Sequence, residues 1–151
     1  MSGDAGAAFA LQAAGPGDLA AVRALLRECA LPEADVTPAL LRDFLVLRQG
    51  AALSGSIGLE RAGAAALLRS LAVSPSARGR GHGRLLVAAL EQHARAQGLR
   101  QLYLLTTTAE AFFAALGYDD APCEQAPAAI AQTAEFRSLC PASARFMAKA
   151  L

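Results

Sequence analysis

The chain has no tryptophan, and its other aromatic residues raise the aromatic share to only 5 %. A core must therefore be assembled from Leu, Val and Ala with few large anchors; alanine alone accounts for 38 of the 151 residues. Lysine is nearly absent. Thirteen of the fourteen basic residues are arginine and Lys149 is the exception, which with the alanine excess reads as codon bias rather than chemistry. No charge of one sign dominates. Fourteen basic against thirteen acidic side chains leave +1, a balance that argues against a general nucleic-acid binder. No run reaches the ~18 consecutive apolar residues of a membrane span. The first twenty residues have neither the basic start nor the long apolar stretch of a secretory leader. The three cysteines, Cys29, Cys123 and Cys140, are widely spaced with no C-x-x-C pair, which suits reduced thiols better than a disulfide framework or zinc site. The expectation is a single cytoplasmic domain over residues 1–151, with no metal, no nucleic-acid partner and no membrane segment.

What is present is a clear order of elements. Ala8–Ala13 reads as a first strand. Gly15-Pro16-Gly17 is a turn, and Asp18 is placed to cap an amphipathic helix from Leu19 to about Cys29. Thr37-Pro38 repeats the cap-then-proline signature for a short helix to about Asp43. Phe44–Arg48, Ala52–Glu60 and Ala64–Val73 read as three strands joined by tight turns. Leu85–Gln97 is a helix with Leu85, Leu86, Ala89, Leu90 and His93 on its apolar side, closed by Gly98. Leu102–Leu105 is a strand, Ala109–Leu116 a helix ended by Gly117, and Tyr118–Asp120 a short strand. A helix around Ala128–Leu139 and a strand at Ala144–Leu151 complete the chain. This order predicts an α/β (α+β) fold with one mixed central sheet and helices on both faces. The strands ending at Val73 and Leu105 form a βαβ unit and should run parallel.

The chemistry concentrates in Leu71-Ala-Val-Ser-Pro-Ser-Ala-Arg78-Gly-Arg80-Gly-His82-Gly-Arg84. A strand end, glycines at 79, 81 and 83, and a helix start bring main-chain N–H groups close to a ligand beside a positive helix end. Arg78, Arg80 and Arg84 add charge, so the segment suits a pyrophosphate. It is neither G-x-x-x-x-G-K-[ST] nor G-x-G-x-x-G. From Arg61 to Arg84 there are five arginines and no acid, so the near-neutral total hides a local positive cluster.

Arg78-x-x-Gly81-x-Gly83 after Leu71-Ala-Val-Ser-Pro resembles the acetyl-CoA signature of the GNAT N-acetyltransferase superfamily, and Phe112-Phe113-Ala-Ala-Leu-Gly117-Tyr118 resembles its second landmark. The resemblance implies one GNAT domain whose sheet splays between the fourth and fifth strands, with acetyl-CoA as cosubstrate. It gives the pyrophosphate to the amides of Gly79, Arg80, Gly81, His82, Gly83 and Arg84. Pantetheine pairs with the backbone of Leu71, Ala72 and Val73, and Arg78, Thr106, Phe112 and Phe113 also fall to the cofactor. Leu67–Val73, Leu102–Phe113 and Thr133-Ala-Glu-Phe136-x-x-Leu-Cys140-Pro-Ala-Ser further resemble the arsenic-resistance-associated GNAT enzymes. These are related to enzymes acetylating arsinothricin and phosphinothricin. The Leu-Leu-Thr-Thr segment and the Ser-Ala-x-x-Met-x-Lys ending resemble the acetyltransferase domain of N-acetylglutamate synthases. Both point to the α-amino group of a small anionic, glutamate-like amino acid, and the superfamily suggests a homodimer through the C-terminal strands.

Direct transfer needs a neutral amine, a route for its proton and donors for the developing oxyanion. An amine of pKa about 8–10 is mostly protonated at neutral pH, so a carboxylate helps. Glu60 is the candidate base, against the alternative of a solvent-facing turn glutamate. Arg69, a charge in an apolar strand, needs a partner. Either a substrate carboxylate, arsinate or phosphinate fills its fork, or Glu60 does. Thr107 and Thr108 are candidates for substrate contact, or they serve only to start the next helix. Phe113 stands where many relatives carry a thiolate-protonating tyrosine, and Thr106 where an asparagine is common, so no acid is assigned; Tyr103, Tyr118 or a threonine could substitute. His82 reads as a spacer beside phosphate, His93 as packing, and Cys140 as core rather than nucleophile. The alternatives are a GNAT acting on a polyamine, a peptide N-terminus or lysine, and a CoA-binding module without catalysis.

Overall fold

Residues 8–139 and 144–151 are described in a computed structural model of the chain. Seven strands form one mixed sheet in the order β1-β2-β3-β4-β5-β7-β6. They are β1 (Ala10–Ala13), β2 (Phe44–Gln49), β3 (Ala52–Ala62), β4 (Ala65–Val73), β5 (Gln101–Thr106), β6 (Asp119–Asp120) and β7 (Arg145–Ala150). The helices are α1 (Leu19–Glu28), α2 (Pro38–Leu41), α3 (His82–Ala96), α4 (Glu110–Ala115), α5 (Ala128–Ala131) and α6 (Ala134–Leu139). The mixed α/β class and the element order agree with the sequence reading. The chain forms two compact units, one of residues 1–58 with Ser70–Leu90, the other of Leu59–Arg69 with Glu91–Leu151. β3, β4 and α3 each pass from one unit into the other.

In the first unit β1, β2 and β3 are antiparallel. α1 buries Val22, Leu25 and Leu26, three to four residues apart and thus on one face. They meet Val36, Leu41, Phe44, Val46 and Ala72 in one apolar cluster. Phe44 lies opposite Gly58 on β3, and a Cβ at Gly58 would stand 2.3 Å from its ring, so only glycine admits this fully buried anchor. Asp18 departs from its expected task. Its side chain makes no cap bond to α1; it accepts from the Gly15 amide at 2.7 Å and pairs with Arg48. The Arg48 hydrogen bond, more than any other contact, holds Asp18 below the usual carboxylate range. Thr37 does cap α2, accepting from the Leu40 amide at 3.1 Å. On α3, Leu85 points outward at 46 % exposure, while Leu86, Val87, Leu90 and Ala94 are buried, which turns the apolar stripe by one position.

In the second unit β4 and β5 are parallel, with Ala66 opposite Leu102 and Leu67 opposite Tyr103. That ladder ends there, although β5 runs on to Thr106 in antiparallel register with β7. Leu67, Ile130, Phe136 and Phe146 form the core, with Tyr103 stacked on Phe146 at 5.4 Å. The helix expected over Ala128–Leu139 is two helices. Thr133 divides them, donating to the Ile130 carbonyl at 2.7 Å and accepting from the Phe136 amide at 3.3 Å. Cys29 is a free thiol. Cys123 is disulfide-bonded, which corrects the reading of an entirely reduced set, since spacing along the chain does not fix distance in space. Cys140 lies outside the described residues.

The only lysine has a structural task. Lys149 Nζ donates to both carboxylate oxygens of Glu91 at 3.1 and 2.9 Å and to the Leu116 carbonyl at 2.9 Å. The Tyr118 hydroxyl, 1 % exposed as a residue, donates to the same carboxylate at 2.9 Å. Removing one partner leaves the other charge buried and unmatched. Lys149→Met should therefore cost about 3 kcal/mol in urea unfolding, and Glu91→Gln added to it should recover part of the loss. Burial, then the Glu91 charge, push the Tyr118 hydroxyl far above its ordinary 10.0. The folded state thus keeps a proton that the unfolded chain releases, so this contribution is complete below about pH 10 and declines as pH rises above it. Tyr118→Phe should lack that alkaline decline in a stability–pH profile.

Candidate active site

The glycine loop begins where β4 ends. Ser70, one residue into the first unit's part of β4, has φ 59° although it is not glycine, and its carbonyl accepts from the buried Ser56 hydroxyl at 2.9 Å. A left-handed conformation of this kind costs about 1–3 kcal/mol and persists only where its surroundings enforce it. Leu71, Ala72 and Val73 follow. Ser74 donates its amide to the Ser54 carbonyl at 2.8 Å, and Pro75–Ala77 makes one 3-10 turn. Gly79 and Gly81 then take φ +81° and +79°, the left-handed region that an L side chain would strain. α3 starts at His82, with the Leu85 amide on the Gly81 carbonyl at 3.1 Å.

Among the described residues, the amides of Gly79 to Arg84 donate to no main-chain carbonyl, and the first turn of α3 holds no acid. Six consecutive donors at a positive helix end, with Arg80 and Arg84 exposed beside them, fit a diphosphate. Arg78 is engaged otherwise: its Nε donates to the Val73 carbonyl at 3.0 Å and its Nη2 approaches Cys29 Sγ at 3.5 Å. It braces the strand end. The His82 ring meets Phe9 edge-on at 4.2 Å, and the Arg80 guanidinium lies 5.9 Å from the same ring. Among the described residues, His82 Nδ1 is buried without a hydrogen-bond partner.

The second unit carries the acid–base candidates. Glu60 on β3 accepts from Arg69 Nη1 at 2.8 Å, and Arg69 Nη2 lies 3.8 Å from Glu135 Oε1 on α6. The Arg69 side chain has no exposed surface, Glu135 has 6 %, and Glu60, with 20 %, is the member that reaches solvent. Of the two sequence readings for Arg69, this geometry is the carboxylate pairing, doubled. Glu135 escaped the sequence reading because it fell inside the single helix expected over Ala128–Leu139, where nothing nearby in sequence announces Arg69. The signal that could have found it was Arg69 itself, whose burial demands compensation.

Thr106 ends β5 and accepts from the Ala109 amide at 3.0 Å, starting α4. Thr107 and Thr108 are exposed at the bend between β5 and α4. Phe112 is half-buried, and Phe113, buried, packs edge-on to Phe112 at 5.1 Å and to Tyr118 at 5.7 Å. Phe113 is thus a core ring at the place of the missing tyrosine, and Tyr118 is committed to Glu91. Tyr103 is stacked in the core.

Residues 41–120, more than half of the chain, match the family model of the acetyltransferase (GNAT) domain. The amino-acid acetyltransferase of Ectopseudomonas mendocina (strain ymp) is 44 % identical over 62 residues, 41 % of this chain and 14 % of that protein. The match therefore spans about a seventh of this curated relative. The N-acetylglutamate synthase of Neisseria gonorrhoeae, complexed with coenzyme A and N-acetyl-glutamate, superposes with a TM-score of 0.82 at 24 % identity, over 95 % of this chain and 35 % of that one. A GNAT-family acetyltransferase from Staphylococcus aureus Mu50 gives 0.74 at 15 % identity, over 95 % and 99 %. These structures share the fold. By its sequence match and its sheet order, the chain belongs to the GNAT acetyltransferase domain family.

Proposed function

We propose that this chain moves the acetyl group of acetyl-CoA to the amino group of a small amino acid by direct transfer. The observation that carries the proposal is the run of unpaired amides from Gly79 to Arg84 following a strand end, in a chain whose curated relatives are amino-acid acetyltransferases. When bound, acetyl-CoA supplies a thioester whose carbonyl carbon accepts the amine, a C–N bond forming as the C–S bond breaks. Gly79 to Arg84 hold the pyrophosphate and the backbone of Leu71, Ala72 and Val73 receives the pantetheine, with Thr106, Phe112 and Phe113 on the cofactor side. Arg78 keeps the β4 end in place through the Val73 carbonyl. Glu60 takes the proton of the acceptor ammonium, directly or through water, and Arg69 fixes the orientation of that carboxylate. Thr107 and Thr108 offer exposed hydroxyls to the acceptor. No side chain is assigned to the departing thiolate.

The finer form of the proposal is an anionic glutamate analogue, such as arsinothricin or phosphinothricin, as acceptor. Its support, like that for a role in arsenic resistance, is the sequence resemblance to arsenic-resistance-associated enzymes; a homodimer rests on the wider resemblance to the superfamily, and a cytoplasmic location on the lack of a long apolar run in the sequence. One observation favours a second reading, a polyamine, lysine or peptide N-terminus. Arg69 is already met by two carboxylates of this chain, which favours an acceptor that brings no anionic group of its own to that guanidinium.

Thiol release and product mass, measured with acetyl-CoA against glutamate, phosphinothricin, arsinothricin, spermidine and a peptide, test the proposal. N-acetylation of an amino acid is expected. Preference for spermidine or the peptide would favour the second reading, and coenzyme A binding without turnover of any amine would sink both. Glu60→Gln should lower kcat by about 10²–10⁴ with little change in the KM for acetyl-CoA. Gly81→Ala should cost about 1–2 kcal/mol of stability at its positive φ and raise the KM for acetyl-CoA about tenfold, leaving the acceptor KM unchanged.

A further inference from the structure

Phe9 stands immediately before β1, far along the chain from the glycine loop and outside residues 41–120 that match the family model. Its half-buried ring nonetheless meets the loop twice. It packs edge-on to the His82 ring with centroids 4.2 Å apart, and the Arg80 guanidinium lies over it at 5.9 Å. Arg78, at the loop's start, is tied to the Val73 carbonyl at 3.0 Å. The side chains at 78, 80 and 82 are thus all engaged by the protein. The glycines between them face open space: a Cβ built at Gly79 or Gly81 would meet no atom within 4 Å. That open side has room for a ligand of the loop amides.

Holding Arg80 with a ring has an electrostatic consequence. A carboxylate would fix a guanidinium and cancel its charge, whereas an aromatic face fixes it through the ring quadrupole and leaves the charge whole. Among the described residues Arg80 forms no ion pair, and the first turn of α3 holds no acid. His82 follows the same pattern. Its buried Nδ1 has no hydrogen-bond partner among the described residues, so packing against Phe9 sets the orientation of that ring.

Resting on the assignment of the Gly79–Arg84 amides to the cofactor, we propose that Phe9 is a positioning residue for the diphosphate of acetyl-CoA. It holds Arg80 beside the amides without neutralising it, so the loop meets the diphosphate with a counter-charge already in place. The entropy of ordering a long arginine side chain is then lost on folding rather than on binding. His82 is the other half of the contact, holding the Phe9 ring from the start of α3.

Calorimetry on the full chain tests this with three ligands: coenzyme A, inorganic diphosphate, and pantetheine, which lacks the diphosphate. Phe9→Leu keeps an apolar side chain and removes the ring. It should weaken coenzyme A and diphosphate about fivefold, the size of one exposed cation–π contact, and leave pantetheine unchanged. Phe9→Tyr, which restores a ring, should bind both within about twofold of the wild type. A double-mutant cycle decides the matter: in an Arg80→Ala background, itself about tenfold weaker for coenzyme A, Phe9→Leu should have no further effect. Additive losses, or pantetheine weakened as much as coenzyme A, would mean that Phe9 serves packing alone and would overturn the proposal. If Phe9→Leu fails to fold, NMR of the wild type carries the test. The Arg80 δ-methylene signals should be shifted upfield by the ring and move when diphosphate is added; unshifted signals that do not respond refute the proposal. A wild type that binds coenzyme A but transfers no acetyl group defeats the acetyl-transfer reading and leaves the cycle to decide Phe9. A wild type that binds neither coenzyme A nor diphosphate defeats the loop assignment and this proposal with it.

Discussion

A guanidinium with no exposed surface is the constraint around which the second unit is arranged. Arg69 sits on β4 with apolar Ala66, Leu67 and Leu68 before it, where an unmatched charge would be prohibitive. Its compensation fixes two further elements: β3 must bring Glu60 to one guanidinium nitrogen and α6 must bring Glu135 toward another. The division at Thr133 and the Phe136–Phe146 contact follow as the means by which α6 is held in place. Exposure then separates the three. Arg69 and Glu135 are shut in, and Glu60 reaches solvent.

The first unit solves the opposite problem, keeping donors unpaired. Main-chain amides are normally taken by carbonyls, and an open run of them requires a backbone that turns away from helix and strand. Gly79 and Gly81 supply that turn through positive φ, and α3 follows at once, so its first amides have no carbonyl behind them. Arg78 ties the loop's start to Val73.

Much of this was legible beforehand because the signals were local. Thr37-Pro38 marked α2, the glycines and arginines from 78 to 84 marked the anion loop, and apolar runs bounded by turn residues marked β2 to β5. What escaped depended on distant partners. Asp18 looked like a helix cap because nothing near it in sequence announces Arg48. Lys149 looked like a remnant of codon bias, yet it joins Glu91, Tyr118 and the Leu116 carbonyl. Glu135 lay inside the helix expected over Ala128–Leu139, and only the buried Arg69 gives it meaning. The helix over Ala128–Leu139 was divided by a hydroxyl that competes for the main chain, which apolar periodicity does not register.

The central claim is that Glu60, held by Arg69, receives the acceptor amine while the Gly79–Arg84 amides hold the cofactor. A crystal structure with coenzyme A and an unreacted amino-acid acceptor tests it most directly. The account predicts diphosphate oxygens on those amides, the acceptor nitrogen within hydrogen-bond reach of Glu60, and the Arg69 ion pairs intact. An acceptor bound with its carboxylate on Arg69 and its nitrogen remote from Glu60 would contradict it.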